Sequence, residues 1–131
     1  MRLGVNAALG TQITKVGRYA TEFDYTPEGI ERGVARSLRR LHTDYLDVVY
    51  LHDVEFVADD KLPRTEGNHL PALGSEKEQY GLNEGQEGEI YTDKDHQVLA
   101  AVRKLFELRD DKVIKRVGIS GKCTVDLTCS T

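Results

Sequence analysis

The segment Asp44–Asp53, with the sequence DYLDVVYLHD, decides the fold. Its centre, LDVVYL, is apolar almost throughout, and this predicts a strand over Tyr45–His52 that is covered on both faces. Such strands are typical of parallel sheets flanked by helices. The segment ends on His52 and Asp53, two residues that are costly to bury unless they are paired. We therefore predict a parallel strand whose polar end carries the function.

The composition indicates one soluble globular domain. The chain has 131 residues, of which 39% are hydrophobic and 31% charged. A net charge of -4 argues against a nucleic-acid surface, and the basic cluster Arg36–Arg40 is predicted to be a solvated helix face. No apolar run approaches the ~18 residues that cross a bilayer, and the first ten residues lack the core of a secretory signal. We expect a cytoplasmic protein without a membrane partner.

The residues before this strand predict a strand and a helix. Gln12–Arg18 is a β-prone run with Lys15 near its C-terminal end. Thr26 and Pro27 form a typical helix start, since Thr26 can cap the helix and proline at the first position loses no hydrogen bond. An apolar stripe then recurs at spacings of four, four and three, at Ile30, Val34, Leu38 and Leu41. The strand, the helix and the next strand predict a right-handed βαβ unit.

The residues after this strand predict a long loop, a helix and a strand. Residues 58–95 are acidic, contain five glycines and two prolines, and lack periodicity. They predict a loop that is either a functional lid or a disordered insertion, and we favour a partly mobile loop. Periodicity resumes at Gln97 and predicts a helix ending at residues 109–111, and KVIKRVGIS (Lys112–Ser120) predicts another parallel strand.

Neither the cysteines nor the histidines predict a metal site. Cys123 and Cys129 are separated by five residues, which matches no metal-binding or redox spacing, so we expect free thiols. The four histidines do not form a metal-binding motif.

Lys15, His52 and Ser120 each lie at the C-terminal end of a predicted strand. Because neighbouring parallel strands lie about 4.8 Å apart and end at the same edge, the three side chains are expected to converge where α/β proteins place their chemistry. A lysine ammonium can lower the pKa of a nearby phenol, a neutral imidazole can hold a carbonyl oxygen, and a serine can bind an amide. This combination fits carbonyl reduction.

Each residue also has a structural explanation. Lys15 can be a solvated end of a strand, His52 a core histidine with satisfied hydrogen bonds, and Ser120 a turn residue. Asp53 can cap the next segment. The sequence leaves these alternatives open.

Three stretches resemble the aldo-keto reductases, most closely the branch of aldose 1-dehydrogenases acting on D-arabinose or L-galactose. They are TKVGR, the SLRRL…DYLDVVYLHD signature and KRVGISG. The resemblance covers Thr14–Val57 closely and Leu99–Gly121 more loosely. It implies a (β/α)8 TIM barrel that uses NAD(P) without a Rossmann fold. Because such a barrel needs about 200 to 250 residues, residues 1–131 are expected to form one partial domain holding about strands three to five.

The resemblance also implies roles for the residues at the strand ends. The family uses Asp, Tyr, Lys and His around the substrate carbonyl; the lysine matches Lys15 and the histidine matches His52. Ser120 is similar to the serine that contacts the nicotinamide carboxamide. The implied activity is hydride transfer between NAD(P) and the C1 carbonyl or hemiacetal of an aldose, with a small aldose or aldehyde as substrate.

The chain departs from the family pattern in two places. Only fourteen residues precede Lys15, and none is a tyrosine or an aspartate. We therefore expect half of the catalytic tetrad to be missing and the chain to be inactive alone. The tail after Gly121 does not resemble the continuation of the family.

An alternative is a non-catalytic α/β module that binds a metabolite or a partner. A hydrolase-like fold ranks last because GISG is not a nucleophile elbow.

Overall fold

The computed structural model describes residues 10–58, 74–75, 77–78, 83–86, 88, 90 and 92–121. Within them three parallel strands form one sheet in the order β1-β2-β3. The strands are β1 (Ile13–Val16), β2 (Leu46–His52) and β3 (Ile114–Ser120), and the helices are α1 (Pro27–Leu41) and α2 (Asp93–Asp110). The predicted parallel α/β architecture is confirmed. Consecutive βα units of this kind make up an incomplete (β/α)8 barrel.

Helix α1 forms where the sequence predicts it. The hydroxyl of Thr26 accepts a 3.0 Å hydrogen bond from the backbone N–H of Gly29, and Pro27 occupies the first position. The helix ends at His42, which takes the left-handed conformation and donates its N–H to Arg39. Gly33 lets the helix pack closely against β1 and the loop after it, because a Cβ atom there would lie 3.2 Å from the side chain of Val16 and 2.6 Å from the hydroxyl of Tyr19.

The core lies between one face of the sheet and the two helices. Its fully buried side chains come from all five elements and include Val16, Ile30, Val34, Val49, Leu51, Leu105 and Ile114. The opposite face is not covered by helices among the described residues: Ile13 is 56% exposed, and Val48 and Tyr50 are half-buried. The prediction that β2 is covered on both faces therefore holds only for its helix-facing side.

Three elements have a boundary that differs from the sequence prediction by two residues or more. Helix α2 begins at Asp93 rather than Gln97, because Thr92 forms a capping box: its hydroxyl accepts from the N–H of Lys94, and its own N–H donates to Asp95, both at 3.1 Å. Strand β3 begins two residues late because Lys112 adopts a positive φ of 66°. Strand β1 is limited to four residues because Gly17, also at positive φ, turns the chain.

Two predictions concern residues outside those that the structure describes. Most of the predicted loop 58–95 lies there, although its last three residues belong to α2. Cys123 and Cys129 also lie there. A short 3-10 helix at Val54–Phe56, which was not predicted, follows β2 directly.

Candidate active site

The register of the sheet brings Lys15, His52 and Ser120 to one edge. His52 pairs with Ser120, and Lys15 pairs with Tyr50, two residues before His52. Paired residues of neighbouring strands point to the same face, and side chains alternate along a strand. The three side chains therefore share the face opposite the helices. From the spacing of strands and residues, the Cα atoms of Lys15 and His52 lie about 8 Å apart.

The three residues differ in their surroundings. Lys15 is exposed, and it has no hydrogen bond or ion pair with the described part of the chain. The side chain of His52 is 25% exposed. The hydroxyl of Ser120 lies 3.4 Å from both the N–H of Asp53 and the carbonyl oxygen of Leu51. These long contacts connect the end of β3 to the end of β2.

Asp53 follows His52 with a left-handed backbone, φ 58° and ψ 59°. It occupies the N-cap position of the 3-10 helix, but its carboxylate makes no capping hydrogen bond. Instead, Oδ2 lies 2.6 Å from Nη1 of Arg18 and 3.3 Å from Nε2 of His52. The capping role considered from sequence is therefore replaced by two contacts with charged or titratable side chains.

The loop after β1 supports the end of β2 through Tyr25. This residue is only 4% exposed, and its hydroxyl donates a 2.6 Å hydrogen bond to the backbone carbonyl of His52. The loop can pass this close because Gly17 has a φ of 96°, and a Cβ atom there would lie 2.6 Å from the ring of Tyr25. Sequence reasoning missed Tyr25, although the glycine directly after β1 indicated a sharp turn toward β2.

Arg18 lies against a pair of stacked aromatic rings beside the strand ends. Its guanidinium carbon lies 5.7 Å from the ring centres of both Phe23 and Phe56, within the range of a cation–π interaction. The two rings stack on each other at 5.7 Å, and Phe56 is 61% exposed. Sequence reasoning also missed Arg18; its position two residues after β1 was the available indication.

Tyr50 occupies the face of the sheet directly before the strand ends. Its ring lies across Gly118, where a Cβ atom would come within 2.5 Å of it. The same residue pairs with Lys15 on the other side. The phenol ring therefore lies beside Lys15 and Gly118, with which Tyr50 pairs across the sheet. His52 and Ser120 lie two residues further along their strands.

Two grooves lie elsewhere on the described surface. One of about 380 Å³ runs beside α1 and is lined by Tyr19, Glu22 and three arginines, Arg32, Arg36 and Arg39. Burial raises the pKa of the Tyr19 phenol there. A groove of about 640 Å³ lies at the opposite end of the sheet, beside Tyr45 and Ile114. Neither of these two grooves is lined by Lys15, His52 or Ser120.

Two further findings apply to the described residues alone. None of their helices combines the length and apolar character of a membrane span. They also contain no group of three side chains placed to bind a metal ion.

Comparison with known proteins identifies one family. The model of the aldo/keto reductase family matches residues 12–130. The D-arabinose 1-dehydrogenase of Saccharomyces cerevisiae is 38% identical over 109 residues, which are 82% of this chain and 22% of that protein. The L-galactose dehydrogenase of Arabidopsis thaliana is 36% identical over 66 residues, which are 50% of this chain and 20% of that protein.

The chain spans about a fifth of the length of these curated relatives. Among solved structures, the aldo-keto reductase AKR11C1 from Bacillus halodurans matches with a TM-score of 0.49 and 24% identity, over 84% of this chain and 26% of that one. The family match extends to residue 130. The prediction that the resemblance ends at Gly121 is therefore wrong.

Proposed function

The chain belongs to the aldo/keto reductase family, and from this premise we propose that its strand ends form part of an NAD(P)-dependent oxidoreductase site. The proposed reaction is hydride transfer between NAD(P) and the C1 carbonyl or hemiacetal of an aldose. The observation that carries this proposal is the register, in which His52 pairs with Ser120 and Lys15 lies on the same face. The two curated relatives are named as dehydrogenases of D-arabinose and L-galactose, which supports an aldose substrate.

Each of the three side chains has a distinct role in this proposal. The imidazole of His52 holds the carbonyl oxygen by a hydrogen bond, and its partial burial strengthens that bond. The ammonium of Lys15, exposed and without an anionic partner among the described residues, supplies positive charge beside the oxygen. Both groups bind and orient the oxygen more strongly as negative charge develops on it.

The serine is proposed to bind the nicotinamide end of the cofactor. The hydroxyl of Ser120 is half-buried, and its two backbone contacts are both as long as 3.4 Å, so it can rotate to bond a carboxamide. These properties fit the amide of a nicotinamide. When bound, the nicotinamide ring supplies or accepts the hydride.

A second candidate is a non-catalytic module that binds the nucleotide or the sugar without turnover. The buried phenol at the strand ends favours it, because Tyr25 already donates to the backbone carbonyl of His52 at 2.6 Å. Tyr25 is therefore not offered to a substrate as a proton donor. The two candidates share the binding site and differ only in turnover.

The binding step can be tested on the 131-residue chain by NMR. NADPH, NADH, D-arabinose and L-galactose would each be titrated into the 15N-labelled chain up to millimolar concentrations. We expect the amide shifts to concentrate at Lys15, His52 and Ser120. No shifts, or shifts concentrated at the opposite groove beside Tyr45 and Ile114, would contradict the proposed site.

Single substitutions test the proposed roles of Ser120 and Lys15 separately. Ser120→Ala is expected to weaken nucleotide binding several-fold, and Lys15→Met to weaken sugar binding, because each removes a polar contact with the ligand. Lys94→Met, which removes an exposed lysine from α2, is the matched control for Lys15→Met.

Turnover decides between the two candidates. The 131-residue chain is expected to show no NAD(P)-dependent aldose oxidation, because it spans about a fifth of the length of its curated relatives. Turnover that Lys15→Met abolishes would overturn this expectation and establish the chain as an enzyme. Micromolar nucleotide affinity without turnover would favour the binding module, whereas weak binding supports a reductase site that is incomplete in this chain.

A further inference from the structure

Phe23 and Phe56 form an exposed apolar patch beside the proposed site. Their rings stack with the centres 5.7 Å apart and the planes inclined by 24°, and Phe56 is 61% exposed. A single exposed apolar side chain is common on a protein surface, but two rings that stack against each other beside a proposed site indicate a ligand surface. The function proposed above gives neither ring a role.

Local structure holds both rings of the patch in place. Phe23 pairs with Arg18 in an isolated antiparallel bridge, and its ring meets the buried ring of Tyr25 edge-on at 6.4 Å. Phe56 ends the 3-10 helix after β2, where its backbone N–H donates to the carbonyl of Asp53 at 3.1 Å. The rings are therefore ordered before a ligand arrives, which lowers the entropy cost of binding.

An ion pair borders the patch on the side of His52. Asp53 directly follows His52, and its Oδ2 accepts a 2.6 Å hydrogen bond from Nη1 of Arg18. The guanidinium carbon of Arg18 lies 5.7 Å from the centre of each ring. The guanidinium has more N–H donors than this bond uses, its side chain is 48% exposed, and the carboxylate has a second oxygen. The pair can therefore both donate to and accept from a ligand on the patch.

We propose that this surface, which we call the ring platform (Arg18, Phe23, Asp53 and Phe56), binds the ring form of the aldose. The C–H groups on one face of a pyranose can lie flat on the exposed face of Phe56, because the face of an aromatic ring is negative and attracts C–H groups. The hydroxyls point outward from the sugar ring, so the guanidinium can donate to them and the carboxylate can accept from them. This inference rests on the proposed function, within which it specifies where the sugar lies.

The charges of the ring platform favour a neutral polyhydroxyl ligand. Arg18 and Asp53 carry opposite charges, so a phosphate or carboxylate ligand would be repelled by Asp53 as well as attracted by the guanidinium. A neutral sugar meets no such repulsion. The rigid face of a sugar ring also matters, because an acyclic polyol loses more conformational entropy when it is flattened on the rings. The ring platform should therefore prefer a pyranose over an acyclic polyol.

This preference can be tested by NMR of the 131-residue chain with two probes. Methyl D-arabinopyranoside is locked as a ring, and D-arabinitol is an acyclic polyol with the same carbon skeleton. We expect the pyranoside to shift the ring signals of Phe56 and the guanidinium signal of Arg18. Saturation of the aromatic signals should also transfer to the C–H protons of the pyranoside. D-arabinitol should bind several-fold more weakly. Equal affinities for the two probes, or no saturation transfer, would overturn the inference.

Substitution of Phe56 tests the aromatic ring itself. Phe56→Leu keeps an apolar side chain but removes the flat face, so the affinity for the pyranoside should fall several-fold and approach that for D-arabinitol. Phe56→Trp offers a larger flat face and should retain the affinity. Phe106→Leu is the matched control, because the guanidinium of Arg109 lies 4.6 Å from the centre of the Phe106 ring, but on α2. Unchanged affinity in Phe56→Leu, or an equal loss in Phe106→Leu, would overturn the inference.

The ring platform and the proposed function can fail separately, because their readouts lie on different residues. If aldoses shift the amides of Lys15, His52 and Ser120 but not the signals of Phe56 and Arg18, the ring platform fails alone. If the pyranoside binds at Phe56 while neither nucleotide nor sugar shifts Lys15 or Ser120, the proposed function fails and the ring platform stands only as a sugar-binding surface. The comparison of the two probes needs the wild-type chain alone, so it decides the inference even if Phe56→Leu does not fold.

Discussion

The phenol of Tyr25 donates a 2.6 Å hydrogen bond to the backbone carbonyl of His52, which ties the loop after β1 to the last residue of β2. Hydrogen bonds within the sheet hold the strands, but they do not determine how the chain leaves β2. Tyr25 contributes to this, because its ring is buried and its hydroxyl bonds to His52, the residue directly before the left-handed Asp53. The geometry of the strand ends therefore depends on a residue of the loop after β1, outside the strands themselves.

Tyr25→Phe is expected to lower the free energy of unfolding by about 1 kcal/mol, because it removes one hydrogen bond and leaves the carbonyl of His52 without that partner. Chemical denaturation measures this loss. Tyr19→Phe is the control, since it removes a 3.0 Å hydrogen bond to Gly29, away from the strand ends. Only Tyr25→Phe should also shift the amide resonances of His52 and Asp53; equal shifts in both variants would contradict the role of Tyr25.

Gly118 is expected to be intolerant of a side chain. In Gly118→Ala the new methyl group would lie 2.5 Å from the ring of Tyr50, so the ring must move off the sheet. Overpacking of this kind costs about 1 to 3 kcal/mol, which thermal unfolding would detect. Replacing Tyr50 by leucine in the Gly118→Ala background should recover part of the loss. Gly10→Ala, where nothing lies within 4 Å, is the neutral control.

Helix α2 is expected to depend on its capping box. Thr92→Ala removes the hydroxyl that accepts from Lys94, and such caps contribute about 1 kcal/mol. The first turn should fray, which hydrogen exchange at the amides of Lys94–Gln97 would show as faster exchange. Thr92→Ser keeps the hydroxyl and should retain most of the protection. Equal exchange in the alanine and serine variants would show that tertiary packing, and not the cap, sets the start of this helix.

The sequence predicted the elements whose causes are local. Helix α1 matches from Pro27 to Leu41 because the Thr26 cap, Pro27 and the apolar stripe all lie within it. The parallel order and the shared edge of Lys15, His52 and Ser120 were also predicted, since both follow from βαβ connections. The roles of these three residues stay predictions.

What the sequence did not predict depends on contacts between distant residues. Arg18 and Asp53 are 35 positions apart, and Asp53 has a left-handed backbone that no local pattern indicated. The start of α2 was misplaced for a different reason. Its first turn is polar, so the apolar periodicity began later than the helix, and the Thr92–Asp95 capping box was overlooked.

The acid stability of the chain is expected to depend on Asp24. The hydroxyl of Thr26 donates to Asp24 at 2.6 Å, and Arg32 forms an ion pair with it at 2.8 Å. The Thr26 hydroxyl first, and then its N–H and Arg32, hold the pKa of Asp24 below its usual value of 3.8 in the folded chain, against the opposing effect of burial. A carboxyl with a depressed pKa stabilises the fold above its unfolded pKa, and this stabilisation is lost as the pH falls through the folded pKa.

Asp24→Asn should therefore destabilise the chain at neutral pH by about 1 kcal/mol, and the difference from the wild-type chain should shrink as the pH falls below about 4. Urea unfolding at several pH values from about 2.5 to about 7 would measure both effects, because this range covers the titration of an ordinary carboxyl group and extends to neutral pH. Asp44→Asn, at an exposed aspartate without an ion pair among the described residues, serves as the control and should leave the pH profile unchanged. If the wild-type chain and Asp24→Asn lose stability in parallel below pH 4, the contacts with Thr26 and Arg32 do not stabilise the ionised carboxylate.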